Sequence, residues 1–401
     1  MALHTRFDLF IFFLLCCICM IPGTGAYSTP GNPAVQLYRP EAGSIHSTQI
    51  MDYTNGPHGE VLVATAFGLS TYDGSWSTRY INRDNFSTGL MDDFVTAVEY
   101  DAGSNLWIGY SSGLQVFNGH DYYVIRDQEL LKSCQIRALQ RWDDDMWIAT
   151  GNAGIHRYRD GIWTWYPPDP HQGSGFYEAD SLALDSAADT LLVATPKEGA
   201  WAAVKSDNDT VTFRQIADKD GTFGKLSHVR QDPLGGAWFF DAAHIAHYDA
   251  KNGFIPAVST SDLGGGVGQI NDVAGGTDGS LYIATDDGIY VWNDHRVVDV
   301  YTRFKGFGTT NSVRTVFFDA KNRLWFATPN EVGYYTGTSS QAPVIAIETA
   351  TPTTPPTPVP TSVVSSPALT PSPTPTPAGS PLDGIIQFLS GFLPFTAPAQ
   401  K

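Results

Sequence analysis

Hydrophobic and polar positions along the chain recur in a phrase that is repeated seven times. A short apolar strand with a large residue at its second position is followed by a small-residue turn and a second strand. The copies are Val61-Leu62-Val63-Ala64-Thr65, Leu106-Trp107-Ile108-Gly109, Met146-Trp147-Ile148-Ala149-Thr150, Leu191-Leu192-Val193-Ala194-Thr195, Ala237-Trp238-Phe239-Phe240, Leu281-Tyr282-Ile283-Ala284-Thr285 and Leu324-Trp325-Phe326-Ala327-Thr328. The large residues stand at 62, 107, 147, 192, 238, 282 and 325, so the step between copies runs from 40 to 46 residues. A period of that size with several short strands per unit predicts an all-β, seven-bladed β-propeller of four-stranded blades.

Each copy parses into four strands. In the second, Val95 to Tyr100 is the expected inner strand, Leu106 to Tyr110 the second, Leu114 to Phe117 the third and Tyr122 to Ile125 the outer one. Asn118-Gly119, Asp73-Gly74, Asp160-Gly161 and Asn252-Gly253 supply hairpin turns, because Asn or Asp before Gly tolerates a positive φ. The seventh copy lacks an outer strand after Gly333-Tyr334-Tyr335, and the unassigned Ala34-Val35-Gln36-Leu37-Tyr38 near the chain start is expected to complete it. Closing the ring in this way removes an exposed sheet edge. The alternative closing strand is Pro343 to Ile347.

The flanks differ in composition from the repeats. Residues 1–26 read as a secretory leader: Arg6, an apolar run from Leu9 to Ile21 and the small residues Thr24-Gly25-Ala26, with an uncleaved anchor as the alternative. The propeller is assigned to 27–345. Residues 346–381 form a Pro/Thr/Ser-rich linker, expected to be extended and open to O-glycosylation; 11 of the 26 prolines lie between 349 and 381, and no charge intervenes between Glu348 and Asp383. Residues 382–401 carry an apolar stretch shorter than the ~18–20 residues of a membrane span, and are read as a segment that docks on a surface or envelope component. Once the leader is removed Cys134 is the single cysteine, which excludes an intramolecular disulfide. Cys134 is expected to be a small buried residue.

Aromatics make up 12% of the chain and charged residues 16%, which suits an extracellular β-rich protein. The formal net charge of −17 excludes nucleic acid as a partner, since that needs clustered Lys and Arg.

The stretches Asn105-Leu-Trp-Ile-Gly-Tyr-Ser-Ser-Gly-Leu-Gln-Val-Phe-Asn-Gly119, Thr65-Ala-Phe-Gly-Leu-Ser-Thr-Tyr-Asp-Gly74 and Asp319-Ala-Lys-Asn-Arg-Leu-Trp-Phe-Ala-Thr328 resemble the two-component regulator propeller repeat, over about 40–336. The resemblance implies a prokaryotic, exported sensing ring; polysaccharide sensing is common in that family. Family members usually carry two rings, a further β-domain and a membrane helix before a kinase, whereas this sequence supplies one ring.

A residue type repeated in every blade is expected to pack blade on blade, which assigns Trp107, Trp147, Trp238, Tyr282 and Trp325 to structure. Recognition is expected where the copies disagree. Aligned on the first apolar residue of each inner strand, the following positions read Met51, Thr96, Arg137, Asp180, Ser227, Asn271 and Arg314, and the preceding ones Gln49, Phe94, Gln135, Glu178, Lys225, Gln269 and Ser312. Arg137, Asp180, His228, Asn271, Arg314, Gln135 and Gln269 are therefore the expected ligand-binding residues, ringing one mouth of the channel. The ligand is expected to be a glycan or a protein. A polar channel without a specific ligand, in a structural surface module, is one alternative.

An enzyme is the other, since streptogramin lyases are similar in repeat length and Trp-Phe runs; His228 would be its base, although the acid expected after the Trp-Phe run has no match. No hydrolase, zincin or phosphate-loop motif is present. His244 and His247 fall on opposite strand faces, wrong for shared metal ligation. Asp143-Asp144-Asp145 reads as a solvated turn with weak calcium binding as its functional alternative; no other cofactor is expected. Asn85-Phe-Ser87 and Asn208-Asp-Thr210 are glycosylation acceptors in expected loops.

Overall fold

The structure is a computed structural model that describes residues 26–27, 32–41, 44–126, 128–131, 134–169, 171, 173–206, 208–264 and 266–338. All of the expected leader 1–26 except Ala26, the Pro/Thr-rich linker, the terminal apolar segment and the alternative closing strand lie outside the described residues.

Seven antiparallel sheets are formed, one per repeat. The second blade runs Val95–Tyr100, Leu106–Tyr110, Gly113–Phe117 and Tyr122–Val124, within a residue of the boundaries read from sequence. The seventh is built from both ends of the domain. Thr315–Phe318, Leu324–Ala327 and Val332–Tyr335 are joined by Val35–Tyr38, which pairs with the last of them through Leu37↔Gly333 and Tyr38↔Val332. Ala26–Tyr27 adds a short fifth strand outside Val35–Tyr38.

The hydrophobic core is divided into seven clusters, and each straddles one pair of neighbouring blades. The large second-strand residue of each blade turns toward the following blade. Trp107 packs against blade three, Trp147 against blade four, Tyr282 against blade seven and Trp325 against blade one; the partly buried Trp238 sits in the seam to blade six. The last seam is the most aromatic: Trp325 meets Tyr72, Trp76 and Tyr334, with the Tyr72 and Trp76 centroids at 5.1 and 5.7 Å. Tyr38, from the chain start, lies in the same cluster and shares a 2.9 Å hydrogen bond with the Tyr72 hydroxyl. Offset and edge-on ring contacts of this kind stabilise beyond simple area burial.

Two turns that each open on an aspartate also serve the seams. Asp101 and Asp319 each accept the indole N–H of the Trp six residues on, at 2.9 and 2.8 Å, so a large apolar residue is buried with its one polar atom satisfied. Asp143 and Asp144 form the exposed turn expected of the run, whereas Asp145 departs from it. Asp145 is fully buried and its carboxylate is met by Arg157 and Arg159, both at 2.9 Å, and by Lys205 at 3.1 Å. Cations arriving from the third strands of blades three and four take up the oxygens that a calcium ion would need. The exposed Asp209 extends this network to Arg157 and Arg159 at 2.7 and 2.6 Å, beside the sequon asparagine Asn208.

Candidate functional site

The geometry of the inner strands turns sequence variation into a site. In blades one, two, three and six the register shifts after the first strand residue, so Met51, Thr96, Arg137 and Asn271 are each an extra residue opposite the second strand. In blades four and seven Asp180 and Arg314 donate their backbone N–H to the same residue that the next position faces, Ala194 and Ala327. A β-bulge re-aims the side chain of its extra residue. Here the bulge recurs around the ring at the position where the copies disagree.

The result is an axial cavity of about 600 Å³. Among the residues expected from sequence, Arg137, Asp180, His228, Asn271, Arg314 and Gln135 line it, with Met51, Phe94 and Thr96. Gln269 is not in the wall; its amide donates to Asn271 Oδ1 at 3.0 Å and positions that side chain. Asn271 in turn donates to the Val313 carbonyl at 2.8 Å and to Asp286 at 3.1 Å. All seven blades therefore contribute an expected residue or a bulge residue to one cavity.

Charges at the mouth are unevenly spent. Arg137 is held by Glu178 at 2.8 Å and lies 3.8 Å from Asp180; Lys197 also grips Glu178, at 2.8 Å. Enclosure raises the Asp180 pKa above its ordinary value, opposed by Arg137 and His228. His228 is exposed on the channel wall, yet burial of its ring among its neighbours lowers its pKa, and the Arg230 charge adds to the effect. The ring is therefore neutral at pH 7 and able to accept a proton or hydrogen bond. Arg314 is exposed, and among the described residues its guanidinium forms no hydrogen bond or ion pair. It is a cation at the mouth with its five donors unused.

Deeper in the channel lie residues that sequence reasoning missed. Asp272 is buried, and Arg230 Nε reaches it at 3.0 Å. Thr315 Oγ1 donates to Asp272 at 2.8 Å and the Val316 N–H at 3.3 Å, tying blade six to blade seven. Asp52 likewise accepts the Val98 N–H at 2.9 Å, and Ser181 the Val229 N–H at 2.8 Å. Burial opposes the Arg230 charge, but Asp272, then Tyr53 and Asp52, more than offset it and hold the pKa high. Tyr53 stacks on Phe317 at 3.8 Å across the closing seam. The sequence signal for this layer was polar: Asp52 and Asp272 occupy the inner-strand position that holds Ala97 and Ala138 in blades two and three.

The remaining candidates are spread over the ring. His247 contacts Asp232 at 3.1 Å while His244 lies near Asp241, so the two histidines share nothing. Cys134 is buried, and its thiol lies 2.9 Å from Asn152 Oδ1. Burial raises the Cys134 pKa, which disfavours the thiolate. Asn85 and Asn208 are both exposed. No group of three or more His, Cys, Asp or Glu among the described residues could hold a metal ion.

The fold is thus that of a seven-bladed β-propeller with four-stranded blades. It is shared with the extracellular domain of an assigned one component system from B. thetaiotaomicron, at 16% identity and TM-score 0.59, over 75% of this chain and 39% of that one. The extracellular domain of an assigned hybrid two component system from the same organism matches at 18% identity and TM-score 0.56, over 73% and 40%. A streptogramin B lyase matches at 13% identity and TM-score 0.56, over 75% and 97%. The chain spans about two fifths of the length of the two sensor-system domains. No protein-family model matches the sequence. No curated protein matches it either.

Proposed function

We propose that this ring is an extracellular recognition module of the sensor type, which binds a glycan or protein ligand at the mouth of its axial channel. The observation that carries the reading is convergence. Side chains that differ from blade to blade are turned by the same bulge into one cavity, while the repeated side chains are used up in the seams. A cavity of about 600 Å³ falls within the ~300–1,000 Å³ of small-ligand sites. Sensor-system domains with the same fold, and the leader and Pro/Thr-rich linker read from sequence, support placing the module outside the cytoplasmic membrane. The apolar segment at 382–401 would hold it against an envelope component.

The test is a glycan and peptide array probed with the mature chain, followed by Arg137→Ala and Arg314→Ala. Loss of the hits in either variant supports the mouth as the site, and hits that survive both changes remove it.

A second reading, a lyase or glycan-degrading enzyme, is favoured by one observation: a neutral His228 faces the cavity. Turnover of cyclic depsipeptides or polysaccharides that disappears in His228→Ala would establish it.

A further inference from the structure

One wall of the channel, made by the inner strands of blades one and two, is short of positive charge. Asp52 accepts the Val98 N–H at 2.9 Å. Glu99 accepts the Tyr100 N–H at 2.8 Å and the Thr54 hydroxyl at 3.1 Å. Both line the cavity, and among the described residues neither takes part in an ion pair. Asp272 is the internal comparison: it has Arg230 at 3.0 Å and the Thr315 hydroxyl at 2.8 Å. Arg230 is thus committed to the third carboxylate.

A separate observation points to the same wall. Thr96, the bulge residue of blade two, is 8% exposed and lines the cavity, yet its Oγ1 has no hydrogen-bond partner. A buried hydroxyl left unpaired has given up its bond to water without replacement, so its retention there points to a partner that arrives from outside.

The carboxyls carry the mark of a missing counter-charge. Burial pushes Asp52 up to about 6, against the Val98 N–H and Arg230. Burial also pushes Glu99 up to about 7, and Asp52 itself adds to that rise. The charged groups that face the pair are Arg230 and Asp272 across the channel and Arg141 from blade three; Tyr53 faces Arg230 and Asp52. Two carboxyls and a hydroxyl do not make a metal-ligand set here. They do match the N–H donors of an organic cation. The net charge of −17 favours the approach of such a group.

We propose that the blade-one and blade-two wall of the channel binds the ammonium or guanidinium group of a ligand, with Asp52 and Glu99 as counter-charges and the Thr96 hydroxyl as acceptor. The proposal rests on the channel being the binding site. The cationic group comes either from a free amine or from a lysine or arginine side chain of a peptide.

Calorimetry on the full mature chain tests it, with 1,4-diaminobutane and, separately, an end-capped pentapeptide bearing one central lysine. Saturable binding of at least one probe is expected, at least tenfold weaker in the Asp52→Asn/Glu99→Gln double variant. At pH 6 binding should release protons, read as a heat that varies with buffer ionisation. The amides keep the acceptors for the Val98 and Tyr100 N–H groups, so the variant should fold. If it does not, Thr96→Val must weaken binding several-fold on its own. Binding of the diamine alone assigns a free amine, and binding of the peptide alone a side chain. Failure of both probes to saturate the wild type, equal binding by the variants, or binding of calcium alone overturns the proposal. Array hits lost in Arg314→Ala but unchanged in the double variant would overturn it while leaving the mouth reading in place.

Discussion

The seams between blades and the channel they enclose are built from the same repeats by opposite rules. In a seam, each copy contributes the same kind of residue. Leu62, Trp107, Trp147, Leu192, Tyr282 and Trp325 are all buried against the next blade, and their value lies in being alike. In the channel the equivalent backbone position presents Met51, Thr96, Arg137, Asp180, Asn271 and Arg314, and its value lies in being different. Repetition therefore sets the framework, and departure from repetition sets the lining of the cavity it encloses.

The largest effect should come from the seam that both chain ends build. Leu37→Asp puts a charge at a fully buried position against blade six, and should cost more than about 4 kcal/mol in chemical unfolding. A cost under about 1 kcal/mol would mean that Val35–Tyr38 does not close the ring. Next in size is Trp325→Ala, which should lose about 3–5 kcal/mol by removing a fully buried ring packed on Tyr72, Trp76 and Tyr334.

The channel carboxyls give a smaller effect with a definite sign. Asp52 and Glu99 have folded-state pKa values above their unfolded ones, so the native state holds their protons more tightly. Their contribution to stability is present at low pH and is lost as pH rises through about 6 and about 7. Wild-type stability should therefore fall between about pH 4 and about pH 7 relative to Asp52→Asn/Glu99→Gln, by up to about 3 kcal/mol per group. Urea unfolding of the two proteins at matched pH checks this, since His156 and the other titrating groups cancel in the difference. A parallel pair of curves would show that the wall is already neutralised. The smallest stability effect belongs to Arg314→Ala. It should lie within about 0.5 kcal/mol, because the guanidinium has no partner to lose, while ligand binding falls sharply.

Much of the seam was legible in the sequence, and little of the channel. The period, the Asn-Gly and Asp-Gly turns and the missing outer strand of the seventh copy are all local signals, and strand boundaries followed from them. The variable position was visible as well. What the alignment could not show was why that position faces the axis, because the bulge is a property of strand pairing. Asp52, Glu99, Arg230 and Asp272 were passed over because only the two positions flanking the first apolar residue of each inner strand were compared across the copies, and these four lie further along. Asp145 was misread for another reason: three consecutive aspartates look solvated until Arg157, Arg159 and Lys205 arrive from two other strands.

The central claim is that recognition happens in the channel mouth, where the blades differ. Hydroxyl-radical footprinting of the full mature chain, with and without an array-selected ligand, tests it most directly. Met51 and His228 at the mouth should lose reactivity when the ligand binds, while the exposed Tyr123 and Ile162 on the outer strands keep theirs. Protection of Tyr123 and Ile162 with Met51 and His228 unchanged would contradict it.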